Sequence, residues 1–156
     1  MVITLNFANK IFSSDNRPTS MKFISTIFFA FTLVAFASCN DNSYEAYINS
    51  TLADEIPNYN KYDSIFIIPR SGCTSCAAQA DIIFKAGHRN KKNLYIFTSL
   101  YSEKDLRIEL GRERIYSDNV FIDKDNKFWK QKFEESHYPT RFTKEGTDDY
   151  VFDYMF

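Results

Sequence analysis

Residues Ile65 to Gly87, IFIIPRSGCTSCAAQADIIFKAG, constrain the fold of this chain more than any other stretch. The apolar run Ile65-Phe66-Ile67-Ile68 is stopped by Pro69 and opened into a turn by Ser71-Gly72. Cys73 and Cys76 then begin a helical pattern in which Cys76, Ala77, Ala80, Ile83 and Phe84 share one face. Gly87 stands where a C-cap glycine would end that helix. A strand, a turn and a C-x-x-C at a helix start is the layout that thiol–disulfide chemistry uses. The positive end of the helix dipole favours the thiolate of the first sulfur, and Arg70 is placed to add to that field.

Three other uses of the pair are open. A zinc site normally needs a second ligand pair, and the chain offers only His88, His137 and Cys39, with no histidine partnered at ligand spacing. No metal ligand and no cofactor is therefore assigned. The second use is a disulfide that only staples the turn, on a fold that now serves another purpose. A soft Cu(I) site would need a third ligand that the spacing does not supply.

The rest of the chain alternates helical and extended patterns. Tyr44, Tyr47, Ile48 and Leu52 lie at helical spacing before Pro57. Asn93 to Thr98, NLYIFT, reads as a second strand covered on both faces. Ser102-Glu103-Lys104-Asp105 resembles a capping box for a helix carrying Leu106 and Leu110 and ending near Gly111. Val120 to Asp123 reads as a short strand, Asp125-Asn126 as a turn, and Lys127 to Phe133 as a short helix. Within that segment Trp129 is expected to pack half-buried. Tyr138-Pro139-Thr140 leads into Arg141 to Thr143, a turn is centred on Gly146, and Tyr150 to Phe156 closes the chain as a strand. Strand–helix–strand–helix followed by a late hairpin predicts parallel strands joined by crossovers and an antiparallel edge.

Ahead of all this, Met21 to Cys39 reads MKFISTIFFAFTLVAFASC: one lysine, an uncharged run from Phe23 to Ala37, small residues, then cysteine. That is a short signal-peptide layout, and Phe23 to Phe36 is short for a membrane span, although an uncleaved anchor is the alternative. The end of the run resembles a relaxed bacterial lipobox, with Phe36 where leucine is usual and Cys39 as the lipidated residue. The polar Asn40-Asp41-Asn42 resembles a sorting signal of Bacteroidota-type lipoproteins. The likeness implies delivery to the cell envelope on a lipid, facing the periplasm or on the outer-membrane surface. Residues 1–20 then stand outside the product, as a mis-called start. With Cys39 committed to lipid, Cys73 and Cys76 pair and leave no orphan.

The expected organisation is a signal peptide over 21–38, a tether and short helix over 39–60, and one domain over 61–156. After Cys39 the chain carries 16 Lys and Arg against 19 Asp and Glu, a net charge of −3. No basic run stands out, which argues against nucleic acid as a partner. The chain's 16 Phe and 10 Tyr suit a small packed core.

From Ser64 to Phe156 the sequence resembles the thioredoxin-like fold. The likeness is carried by the strand before Gly72-Cys73-Thr74-Ser75-Cys76, the helix after it and Tyr138-Pro139-Thr140. More narrowly, it is similar to small thioredoxin-like lipoproteins of Bacteroidota. The resemblance implies a three-layer α/β/α sandwich around a mixed sheet, here without an evident C-terminal helix. It also implies a cis Pro139 facing the cysteines, with Tyr138, Pro139 and Thr140 positioning a substrate strand. Cys73 would attack and Cys76 resolve, with protein thiols or disulfides as partners; His137 lies close enough in sequence to touch the site. The chain departs from the family pattern at Gly72, where tryptophan is usual. Thr74-Ser75 stands between the cysteines, and Ile67 takes the place of a buried acid. Those departures keep a second expectation in view, a redox-inactive lipoprotein that uses the fold as a binding or assembly module.

Overall fold

Alternation along two short apolar runs decides the architecture. In the computed structural model, which describes residues 43–155, the chain runs α1 (Tyr44–Glu55), β1 (Ser64–Pro69), α2 (Thr74–Gly87) and β2 (Asn93–Thr98). It continues through α3 (Glu103–Leu110), α4 (Arg112–Ile115), β3 (Val120–Ile122), β4 (Thr140–Glu145) and β5 (Asp149–Tyr154). Single 3-10 turns occupy Tyr59–Lys61 and Glu134–His137. The expected leader, the residues ahead of it and Cys39 lie outside the described residues.

Strands β1 and β2 pair in parallel, Ser64 opposite Asn93 through Pro69 opposite Thr98. Because side chains alternate across a strand, Ile65, Ile67, Leu94 and Ile96 face one side, and Phe66, Ile68, Tyr95 and Phe97 the other. On the first side they meet Tyr44, Ile48, Leu52 and Ile56 from α1, with Phe128, Phe133, Phe142 and Tyr150. On the second they meet Ala80 and Phe84 of α2, Leu106 and Leu110 of α3, and Ile115 of α4. Ile48 and Leu52 are fully buried, each contributing about 1.5–3 kcal/mol. The helix expected after a brief tether is thus one wall of the core.

The sheet order is β3-β2-β1-β4-β5. Strands β1, β2 and β3 are parallel; β4 runs antiparallel to β1, and β5 to β4. The result is an α/β protein with a mixed five-stranded sheet between helical layers, compatible with a thioredoxin-like sandwich. Among the described residues no helix follows β5, and none is long and apolar enough to cross a membrane.

The outer edge of β5 is sealed by side chains. Asn49 donates its amide to the Tyr150 carbonyl at 2.9 Å and accepts the Tyr150 N–H at 3.2 Å. One turn earlier, Glu45 accepts the Phe152 N–H at 2.8 Å. Residues four apart on α1 therefore satisfy residues two apart on an edge strand that would otherwise invite another strand.

Several local expectations change. Lys127 to Phe133 is a run of turns and not a helix. Asn126 sits in the left-handed region (φ 55°), and the buried Asp123 carboxylate takes the N–H groups of Lys127 and Phe128 at 2.9 and 2.8 Å. Gly87 is the last residue of α2 and not a left-handed cap; His88 follows in the right-handed region. A Cβ on Gly87 would run into the Tyr95 hydroxyl, so the glycine permits close approach of helix and strand. The turn α4 was not read from the sequence.

Candidate functional site

The cysteine loop leaves the carboxyl end of β1, which lies between β2 and β4. The Arg70 N–H donates to the Thr98 carbonyl at 2.9 Å, tying the loop to the end of β2. The Ser71 and Ser99 hydroxyls bond each other, and the Ser99 N–H donates to Asn126 Oδ1 at 2.9 Å. Gly72 has φ 119°, and a Cβ there would lie 2.9 Å from the His137 carbonyl oxygen. Both facts demand glycine. That contact also sets the segment leading into Pro139 directly against the cysteine loop.

Cys73 is the N-cap of α2, with its sulfur accepting from the Cys76 N–H at 3.3 Å. A sulfur therefore stands where serine or aspartate usually does. The Ser75 hydroxyl lies 3.2 Å from the same sulfur. Cys73 and Cys76 form a disulfide across a Cα–Cα distance of 5.3 Å, within the ordinary span of such bonds. Both residues are partly exposed.

Arg70 does not add to the field at Cys73 as expected. Its guanidinium bonds Asp81 of α2 at 2.6 Å and also Glu109 of α3, so two carboxylates absorb its charge. The arginine instead ties two helices to the end of β1. Beside it a shallow depression of about 130 Å³ is lined by Leu100, Tyr101, Ser102, Asp105, Leu106 and Glu109.

Of the residues expected to position a substrate, Tyr138 is at the surface, whereas Pro139 and Thr140 are buried. The Tyr138–Pro139 bond is trans, against the cis expectation. The preceding 3-10 turn, closed by the Tyr138 N–H on the Glu135 carbonyl, delivers the chain to β4 in extended conformation without a cis bend. Thr140 pairs with Ile67 across the sheet, and its hydroxyl faces that of Tyr44 at 3.5 Å. Burial raises the Tyr44 phenol well above its ordinary range, which keeps the proton on that oxygen.

Trp129 is half-buried, as expected, and its place has more to say than its burial. Its ring meets the His137 ring edge-on at 5.5 Å, and its indole N–H is shielded from solvent with no hydrogen-bond partner among the described residues. Trp129, His137 and the cysteine loop are thereby brought into one neighbourhood. Trp129 was the residue that spacing alone did not place there. It belongs to no periodic pattern, and only tertiary folding joins the 127–137 segment to residue 72. Among the described residues no three His, Cys, Asp or Glu side chains converge as a metal site would require.

No protein-family model matches the chain, and it matches neither a curated protein nor a solved structure.

Proposed function

We propose that the chain is a membrane-tethered, extracytoplasmic thiol–disulfide oxidoreductase acting through Cys73-Thr74-Ser75-Cys76, its tether a lipid on Cys39. The observation that carries this reading is a partly exposed disulfide at the start of α2, set against the His137–Pro139 segment. In the reduced protein the Cys73 thiolate attacks one sulfur of a substrate disulfide. A Cys73–substrate bond forms, and the other substrate sulfur leaves as a thiolate. Cys76, as its thiolate, then attacks the Cys73 sulfur and releases the second substrate thiolate. Two electrons pass to the substrate, the pair ends as the Cys73–Cys76 disulfide, and an external dithiol restores it. The Cys76 N–H and the Ser75 hydroxyl stand ready to donate to the Cys73 thiolate. Tyr138, exposed beside the loop, offers a ring and main-chain groups to an extended peptide.

Insulin reduction with dithiothreitol tests the reading: wild type should outpace Cys73→Ser, and equal rates would overturn it. Cys76→Ser should trap a mixed disulfide that Cys73→Ser does not. Mass spectrometry of the exported protein should find acyl groups on Cys39.

A second reading, a redox-inactive module on the same fold, draws on one observation. Ile67, fully buried on β1, is apolar where a proton-transferring acid would assist reduction. A pair that glutathione cannot reduce would favour it.

A further inference from the structure

Ahead of the amino ends of β2 and β3, opposite the cysteines, two segments far apart in sequence enclose a depression of about 500 Å³. His88 and Arg89 line it from the loop after α2, and Gly111, Arg112, Glu113 and Arg114 from the turn after α3. Among the described residues three arginines and one glutamate line it, a local excess of two positive charges in a chain whose net charge is −1. Among the described residues none of these arginines lies within 4.0 Å of a carboxylate oxygen.

The walls are braced independently of any salt bridge. Asn119, 1 % exposed, donates its side-chain amide to the carbonyls of His88, Asn90 and Asn93 at 3.1, 3.2 and 2.9 Å. It thus fastens the loop bearing Arg89 to the strand entry that follows α4. On the other wall Arg114 donates to the Leu110 carbonyl at 2.9 Å. Gly111, at φ 90°, leaves room for it, since a Cβ would lie 3.1 Å from the Arg114 guanidinium. The depression is therefore held open by hydrogen bonds to backbone carbonyls, and among the described residues none of its arginines is paired with a carboxylate.

We propose that this depression binds a phosphoryl group, as free phosphate or diphosphate or as the headgroup of an anionic lipid. Guanidinium is the side chain suited to it, being always charged and presenting paired donors that match phosphate oxygens. Partial enclosure makes the attraction stronger than at open surface, where salt screens it within about 8 Å. No covalent step is involved, and the site does not depend on the state of the cysteines.

The test is a titration of the isotope-labelled protein with inorganic diphosphate at physiological salt, followed by amide chemical shifts. Saturable shifts are expected at His88, Arg89 and Gly111 to Arg114, with Cys73 and Cys76 unmoved. The double variant Arg89→Gln/Arg112→Gln should weaken binding at least tenfold, and Glu113→Gln should tighten it. These residues other than His88 and Gly111 are exposed, so the variants should keep the wild-type spectrum elsewhere. Absence of saturation by about 10 mM, weaker than any useful affinity, would overturn the proposal. So would binding that the double variant leaves intact. Cosedimentation with phosphatidylglycerol vesicles, lost in the double variant, would identify the lipid headgroup as the source. Diphosphate binding without cosedimentation would identify a soluble anion, and either result supports the site.

Discussion

Gly72 and Ser75 decide most of what the cysteine loop can do, and each makes a measurable prediction. Gly72→Ala forces a side chain into the left-handed region and into the His137 carbonyl. Backbone strain of this kind costs about 1–3 kcal/mol. Chemical denaturation of the oxidised protein should show a loss of that size, and insulin reduction should fall as the His137–Pro139 segment is pushed back. Ser75→Ala removes a donor from the Cys73 sulfur without touching the backbone. A hydrogen bond to a partly exposed thiolate is worth about 1 kcal/mol, and 1.4 kcal/mol corresponds to about 30 mV for a two-electron couple. The reduction potential should therefore drop by about 20 mV, with slower alkylation of Cys73 at neutral pH. An unchanged potential would remove Ser75 from the site. These residue-scale features were only half legible in advance. Ser71-Gly72 announced a turn, but the partner that makes glycine obligatory lies 65 positions later, at His137.

The segments that read cleanly were those whose pattern is set by burial. β2 spans Asn93–Thr98 as its apolar run implied, because a strand covered on both faces must be apolar throughout. Ser102 caps α3 through the Asp105 N–H at 3.3 Å, as the four-residue signature implied. Segments organised by long-range polar contacts did not read. Asp123 draws the Lys127 and Phe128 amides away from a helix, and Arg70 spends its charge on helices rather than on sulfur. The seal on β5 is of the same kind, since Glu45 and Asn49 look like any polar helix face until the edge strand is in place. Glu45→Ala/Asn49→Ala removes three hydrogen bonds, each worth about 0.5–1 kcal/mol net of exchange with water. The variant should lose roughly 2 kcal/mol. In sedimentation velocity it should also associate with rising concentration as the freed ladder pairs between copies.

Across the whole molecule, Tyr150 joins hairpin, α1 and the turn before β1. Its hydroxyl donates to the Tyr62 and Tyr59 carbonyls at 2.6 and 2.9 Å. Burial, then the nearby Tyr59 and the carboxylates Asp63 and Asp148, pushes the phenol up to about 12 from its ordinary 10.0. A group raised on folding contributes stability that is complete below its unfolded value and is lost as pH climbs through its folded value. Stability should thus be flat to about pH 10 and fall between 10 and 12, read from urea midpoints. Tyr44 and Tyr95 are raised by burial too and act in the same direction. Tyr150→Phe should cost about 2 kcal/mol at neutral pH by stranding two carbonyls, and its decline in alkali should be shallower.

Helix α1 covers an apolar face and stops an edge at the same time, and its chain link to β1, residues 56–63, leaves Pro57, Asn58 and Asn60 exposed. A protease cutting there would uncover oily surface and open backbone together. The severed body should leave solution as precipitate instead of accumulating as a trimmed, folded fragment.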